Sequence, residues 1–482
     1  MLGIVSFGAY VPRLRLQREA VVSSNQWFDP GLATHRAGER AMCNFDEDAL
    51  TMAVEAARDC LAGRDPQRVD DLLLASTTLP YASRLNASIA AQGLDLREDI
   101  GALDVTASLR GGTSALIQAL RGQRNALVVA SDRRKSKVAS AQELLNGDAA
   151  AAVLVGGEDV VAEVLGMHSV TIDMADQYRG AGAVTDTLWE DRWIREEGHL
   201  AQMPAAITRA LEGAGVTPQQ VDRLCIALPV RRLPQKIAQL AGIDPARVQD
   251  TLADRVGNAG AAHPLLLLAH ALEQAAPGEV LVLAAFGQGV DVLVLRATDA
   301  LRGLAGRGRG VSGWLAAGKA ERNYLKFLAF NDMLPLEKGM RAEMDKLTPL
   351  SVEYRNRRTV HGFMGGRCRE CGTAQWPKTD ICVNPECGAT GSQDELPFAD
   401  RPATMITHSA DYLAYSPSPP ACYGMVHFEG GGRLMMDFTD IDADELRVGL
   451  PLRMTFRIKA LDAARGYTRY FWKAAPANHL EN

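Results

Sequence analysis

The chain has 482 residues, 47% hydrophobic and 23% charged, with 52 Lys+Arg against 58 Asp+Glu for a formal net charge of −6. This is about three domains' worth of ordinary globular composition, which excludes a disordered or collagenous chain. The mild acidity excludes a chain-wide electrostatic footprint for nucleic acid, and no apolar run reaches the roughly 20 residues of a membrane span. The opening run Met1-Leu-Gly-Ile-Val-Ser-Phe-Gly-Ala-Tyr10 lacks the basic region and cleavage site of a secretory signal and reads as a first strand. Of eight cysteines, Cys368, Cys371, Cys382 and Cys387 fall within twenty residues while Cys43, Cys60, Cys225 and Cys422 are scattered. One tight cluster in a long chain points to a metal site in a reducing, cytoplasmic setting.

Along the chain an internal repeat comes next. Ala53–Leu61 followed by Pro66, Val69, Asp70, Leu72 and Ala75 recurs as Ala205–Gly213 followed by Pro218, Val221, Asp222, Leu224 and Ala227, each pair offset by 152. Each copy predicts an Ala-rich helix, a Pro-led turn and a short apolar strand of the buried parallel kind. Downstream, the Gly111-Gly-Thr-Ser loop and helix lead to a strand at Ala126–Ala130, and the Gly257-Asn-Ala-Gly loop leads to a strand at Val280–Ala285. Two similar α/β halves are expected, at residues 1–160 and 161–318.

From about residue 303 the texture changes. A Gly/Arg-rich connection (Gly303–Gly310) precedes a polar stretch, Lys319–Lys346, expected to be helical within a linker spanning residues 319–365. Cys368-x2-Cys371-x10-Cys382-x4-Cys387 then supplies four thiolates in two knuckles, the donor set of structural zinc, with Gly372 and Gly388 placed for tight turns. The set has no His or Asp that would leave an open position, so the zinc is expected to stabilise residues 366–394 and to do no chemistry. Beyond it, alternating runs such as Tyr423–Phe428 and Leu452–Ile458, with Glu429-Gly-Gly-Gly432 between them, predict a small β-barrel over residues 395–482.

The order of Gly3-Ile-Val-Ser-Phe-Gly-Ala-Tyr-Val-Pro12, Asp46-Glu-Asp-Ala-Leu-Thr-Met-Ala, Thr78-Leu-Pro-Tyr81, Gly147-Asp-Ala-Ala-Ala-Ala and Val256-Gly-Asn258 resembles hydroxymethylglutaryl-CoA synthase of the archaeal type over residues 1–340. That resemblance implies the duplicated five-layer α/β fold of the thiolase superfamily. Residues 350–475 resemble the DUF35 family, a rubredoxin-like zinc ribbon followed by an OB-fold, through the four cysteines, Gly430-Gly-Gly-Arg-Leu434, Arg447-Val-Gly-Leu-Pro451 and Tyr470-Phe-Trp-Lys473. In that family the module accompanies thiolase-like proteins as a separate subunit; here the two are joined. The resemblance also implies an acyl-CoA thioester as substrate, and a homodimer or a hetero-oligomer with another thiolase-like subunit.

The residues at the family's reactive positions are different. The resemblance places Leu109 at the acylated cysteine, Thr77 at the acid/base glutamate and Ala227 at the histidine, with only Asn258 retaining the family type. Leucine cannot attack a thioester, threonine has no useful basicity near neutral pH, and alanine neither donates nor exchanges a proton. Ser108 neighbours the lost nucleophile, but no histidine follows to activate it. An acyl-enzyme is therefore not expected.

Two readings are left. One is C–C cleavage or condensation of a 3-hydroxyacyl-CoA without a covalent intermediate, as in the thiolase-like aldolases that work with DUF35 partners. The other is a non-catalytic companion of a cysteine-bearing thiolase. Candidate catalytic groups are Tyr81, Asn258 and His263; the structural alternatives are loop packing, a turn, and a core or cap position, respectively. Arg110, Arg231, Arg232 and Lys236 are candidates for CoA phosphates or else a solvated face. Asp148 is expected to cap a turn, and Gly287-Gln-Gly289 to line the site or simply make a tight turn.

Overall fold

The computed structural model describes residues 2–228, 230–304, 306–338 and 349–477. It separates into two compact units. The first comprises residues 1–44, 48–88 and 96–331; the second comprises 45–47, 89–95 and 332–482.

The first unit is built on one mixed nine-stranded sheet. Its strand order is Arg223–Ile226, Val280–Phe286, Gly289–Ala297, Ala162–Thr171, Gly3–Tyr10, Ala149–Gly156, Ala126–Asp132, Asp71–Ala75 and Gly101–Val105. The repeat shows directly in this order. Asp71–Ala75 pairs in parallel with Ala126–Asp132, and Arg223–Ile226 pairs in parallel with Val280–Phe286. Each of those central strands then pairs antiparallel with its outgoing neighbour, Ala149–Gly156 or Gly289–Ala297. The halves meet where Ile4 pairs Ala162. The matching helices are Ala49–Cys60 and Gly111–Arg121 in the first half and Ala201–Ala214 and His263–Gln274 in the second.

The chemistry of these segments explains the arrangement. The central strands Ala126–Asp132, Ala149–Gly156, Val280–Phe286 and Gly289–Ala297 are runs rich in Val, Leu and Ala, buried almost throughout, as strands covered by helices on both faces must be. Asp48 opens the Ala49–Cys60 helix with a reciprocal cap, its carboxylate accepting from Thr51 N while Thr51 Oγ1 accepts from Asp48 N. The 319–346 stretch is not one helix. Lys319–Glu321 is a strand paired in parallel with Leu14–Gln17, and Asn323 caps a separate helix, Tyr324–Phe330. Gly318 before that strand and the Asn323 cap break the helical pattern that the polar composition had predicted; residues 339–348 of that expectation lie outside the described residues.

The second unit contains a three-stranded ribbon sheet, Ala374–Gln375, Met364–Cys368 and Gln393–Pro397. A six-stranded antiparallel sheet follows, formed by Ser409–Asp411, Ala421–Phe428, Ala403–Met405, Pro451–Asp462 and Tyr467–Pro476, with Arg433–Asp437 pairing Ala421–Phe428. Its core is aromatic. Phe363 lies 5.6–6.0 Å from the rings of Trp376, Phe398, Phe428, Phe471 and Trp472, mostly edge to face. Among the described residues no helix is long and apolar enough to cross a membrane.

Candidate functional site

The three altered positions stand at the ends of parallel strands, where an α/β sheet presents its binding crevice. Thr77 follows the Asp71–Ala75 strand and is held by a residue the sequence reading did not single out, Asp132, the last residue of the next strand. Asp132 is fully buried. Its Oδ1 accepts from Ser76 Oγ (2.9 Å), Thr77 N (2.7 Å) and Thr78 Oγ1 (3.0 Å), and its Oδ2 from Thr77 Oγ1 (3.0 Å) and Ala261 N (2.7 Å). Burial pushes this carboxyl above its usual range while the donors pull it back. With five donors on two oxygens it anchors the Thr77 segment to the loop that carries Asn258.

A second tie comes from the excursion that follows the Ala162–Thr171 strand. Arg179 donates to the Thr77 carbonyl and to Asp186 (2.8 Å), and Arg134 donates to the same Asp186 (2.8 Å) and to Gln177 (2.5 Å).

Leu109 sits in the turn between the Gly101–Val105 strand and the Gly111–Arg121 helix, next to a left-handed Ala107 (φ 74°). Ser108 Oγ donates to the Gly287 carbonyl (3.0 Å). Arg110 donates to the same carbonyl (3.0 Å), to buried Asp291 (2.7 Å) and to Thr171 Oγ1 (3.0 Å). Asp291 also accepts from Thr113 and Ser114. The Arg110 guanidinium is thus an internal brace between the helix start and the Gly287-Gln-Gly289 hairpin, while Arg231, Arg232 and Lys236 lie exposed around the start of the Leu233–Leu240 helix. Arg231 pairs with Asp254 at 3.6 Å.

Ala227 continues the Arg223–Ile226 strand, its N–H bonded to Ala284 O; Pro229, two residues on, lies outside the described residues. Asn258 makes a local turn, its Oδ1 accepting from Gly260 N at 3.0 Å. Asp132, through Ala261, brings this loop to Thr77. His263 is buried at the start of its helix, Nδ1 accepting from Ala259 N at 3.4 Å, and burial pushes its imidazole down to about 4. Tyr81 lies in the loop beyond Thr77, its backbone paired with Asn86 and its ring under the Arg84 guanidinium at 4.7 Å. Asp148, expected to cap a turn, instead accepts from the distant Cys43 N and faces buried Arg40 at 3.6 Å. Cys43, Cys60 and Cys225 are all buried, and burial pushes the Cys60 and Cys225 thiols up to about 12. Cys60 and Cys225 are therefore held as thiols at neutral pH, the poorly nucleophilic form.

The four ribbon cysteines are assembled as their spacing requires. Their sulfurs lie within 4.8 Å of one another, with Cys368–Cys387 at 3.9 Å and Cys371–Cys382 at 3.6 Å. Sulfurs about 2.3 Å from a common tetrahedral zinc are spaced at about this distance. Gly372 (φ 75°) and Gly388 (φ 56°) make the left-handed turns. Ser392 Oγ and Thr373 Oγ1 stand 3.2 Å from Cys368 and Cys371. The residues fit zinc, which bound there would hold the ribbon together. The purified chain is expected to carry about one zinc, read by elemental analysis; a well-folded ribbon without metal would contradict the assignment.

Fold and ribbon together define a thiolase-superfamily α/β body followed by a zinc ribbon and an OB-fold domain. Residues 211–295 match the family described as 3-oxoacyl-[acyl-carrier-protein] synthase III C terminal, residues 355–392 the ChsH2 rubredoxin-like zinc ribbon domain, and residues 403–457 the ChsH2 C-terminal OB-fold domain. Among curated proteins, hydroxymethylglutaryl-CoA synthase of Caldivirga maquilingensis is 26% identical over 351 residues, covering 70% of this chain and 99% of that one. The same enzyme of Methanosarcina acetivorans is 29% identical over 327 residues, covering 64% and 93%. The body is hydroxymethylglutaryl-CoA synthase-like. Solved structures agree on the fold. MvaS in complex with 3-hydroxy-3-methylglutaryl coenzyme A has a TM-score of 0.61 at 19% identity, covering 72% of this chain and 94% of that one. For 3-oxoacyl-(acyl carrier protein) synthase III of Pseudomonas aeruginosa the values are 0.56, 22%, 62% and 98%.

Proposed function

We propose that the chain binds an acyl-CoA in its hydroxymethylglutaryl-CoA synthase-like body and serves C–C bond chemistry without becoming acylated, most directly as an aldolase or lyase of a 3-hydroxyacyl-CoA. The observation that carries the non-covalent part is Leu109: at the start of its helix the chain offers an aliphatic side chain, and the neighbouring Ser108 hydroxyl is spent on Gly287 O. In the reaction, the C2–C3 bond breaks and its electron pair enters the thioester as an enolate. The C3 hydroxyl gives up its proton as the C3 carbonyl forms, and C2 takes up a proton. Such a step needs a proton acceptor and a donor to the enolate oxygen. Tyr81 and the Asn258 amide are the groups proposed for those roles, and His263 is set aside by its burial. Arg231, Arg232 and Lys236 are proposed to meet the CoA phosphates, and Arg110 to brace the site. Two α/β halves at 1–160 and 161–318, a linker at 319–365, the ribbon at 366–394 and the OB-fold at 395–482 are the proposed domains.

The test is purified full-length chain against panels of 3-hydroxyacyl- and 3-oxoacyl-CoA. Cleavage is expected to fall about 100-fold in Tyr81→Phe and to stay within about twofold in Ser108→Ala. Radiolabelled acyl-CoA is expected to leave no adduct on Cys43, Cys60 or Cys225; an adduct would end the non-covalent reading. A second reading, a non-catalytic subunit that partners a cysteine-bearing thiolase, is favoured by one observation: Ser108, Arg110, Asp132 and Asp291 all bond to other groups of the chain. No turnover across the panels, with co-purification of a second thiolase-like chain, would put that reading first.

A further inference from the structure

The first unit contains a histidine that neither the repeat nor the family motifs single out. The excursion after the Ala162–Thr171 strand ends in a π-helical segment, Ile194–Leu200, that runs directly into the Ala201–Ala214 helix. Such wide turns are rarely formed without a local reason and recur at functional sites. Here Gly198 permits the close approach: a Cβ at that position would meet Met174 Sδ and Cε and Phe286 Cζ at 3.0 Å. With the turn pressed against Phe286, the His199 ring stands edge-on to that phenyl at 4.7 Å.

Phe286 is the last residue of its strand. The next residue, Gly287, is the carbonyl that Ser108 and Arg110 hold on either side of Leu109. Two residues earlier, Ala284 O pairs with Ala227 N. His199 therefore reaches the strand end that both the lost nucleophile and the lost histidine share. Its ring is half-buried, and Nδ1 is sealed from solvent with no hydrogen-bond partner among the described residues. A buried polar atom left without a partner calls for an explanation, and a ligand that supplies the partner is one. Phe286 beside its ring, and Met174 against Gly198, belong to the buried apolar cluster of the second half.

We propose that His199 takes over the place vacated at Ala227 and is a catalytic residue, its ring N–H donating a hydrogen bond to the thioester carbonyl oxygen of the bound acyl-CoA. This rests on the acyl-CoA reading above and extends it to a named residue. Burial pushes the imidazole down to about 4, so the ring is neutral at neutral pH. A neutral imidazole is a weak base, but it can polarise a carbonyl without first having to lose a charge.

The experiment uses the full chain with acetyl-CoA and free CoA as probes. His199→Ala is expected to weaken acetyl-CoA binding about tenfold while leaving free CoA unchanged, the loss typical of one hydrogen bond. His199→Gln, which keeps an N–H donor, is expected to recover most of the difference. Acetyl-CoA is also expected to shield His199 from carbethoxylation by diethyl pyrocarbonate, read by peptide mass spectrometry, and free CoA to do so less. Wild-type protein that binds neither probe would overturn the acyl-CoA reading itself. Wild-type binding with normal affinity in His199→Ala, or carbethoxylation of His199 indifferent to acetyl-CoA, would overturn the histidine's role alone.

Discussion

Arg457→Met is expected to destabilise the second unit by about 3–5 kcal/mol, the cost of breaking a buried ion cluster from one side. Arg457 is fully buried in the Pro451–Asp462 strand and faces Glu47 at 2.6 Å, Asp440 at 2.6 Å and Asp46 at 4.0 Å. Lys473 completes the cluster at 2.9 Å from Asp46, with its ammonium 5.1 Å from the Phe45 ring centre, and Ile458 N donates to Asp46 O. Three carboxylates are thus set against two cations. Removing the guanidinium leaves three buried negative charges with one lysine, and neither solvent nor a rearranged side chain can answer them. Arg457→Lys keeps the charge but loses the fork that spans two carboxylates, so it should fall between the variant and wild type. The measurement is urea unfolding followed by near-ultraviolet circular dichroism of the aromatic core, with zinc release to a chromogenic chelator as a second signal. A midpoint for Arg457→Met within error of wild type would show that the cluster contributes nothing net.

This cluster also marks where sequence reading stops. Asp46-Glu-Asp48 is visible as a motif, and Asp48 does cap its helix as a local residue should. Nothing in the pattern says that Asp46 and Glu47, more than 390 residues before Arg457 and Lys473, would be their partners. The same division runs through the rest of the chain. The 152-residue repeat makes the strands at Asp71–Ala75 and Arg223–Ile226 legible, because buried parallel strands are written as continuous apolar runs. The ribbon is legible because ligand spacing and geometry are linked in so short a segment. Asp132 is not, since one aspartate closing an apolar strand has no local signature and its five donors come from two stretches far apart in the chain. Arg110 shows the converse: a cation beside the expected pocket looks free in one dimension, and its partner Asp291 appears only when two loops meet.

His263 is expected to withdraw stability from the first unit as pH falls from 6.5 to 4. Burial lowers His263 and His199 to about 4 from an ordinary value near 6.5, so in that window the unfolded chain binds protons that the folded chain refuses. Stability contributed by each neutral imidazole is therefore complete above pH 6.5 and is lost progressively as pH falls toward 4, on the order of 3 kcal/mol apiece. Several carboxyls run the other way: burial raises Asp132, Glu143 and Asp176, and it raises Asp59 as well. Asp59, half-buried and accepting from Ala9 N, Arg309 N and Gly310 N, is raised by desolvation to about 6. The folded chain takes up that proton first, so Asp59 adds stability as pH falls from 6 toward 3.8, offsetting roughly one histidine. One substitution isolates the share of His263. His263→Leu, similar in bulk and set among Leu265, Leu266 and Leu267, cannot take up a proton. Relative to wild type it should gain about 2.5 kcal/mol between pH 7 and pH 4.5, measured as the difference in urea unfolding at each pH. Acid release of zinc from the ribbon is common to both proteins and cancels in that difference. A gap between variant and wild type that stays constant across the range would mean that His263 is protonated as readily in the fold as out of it, and that its burial is not what the structure places there.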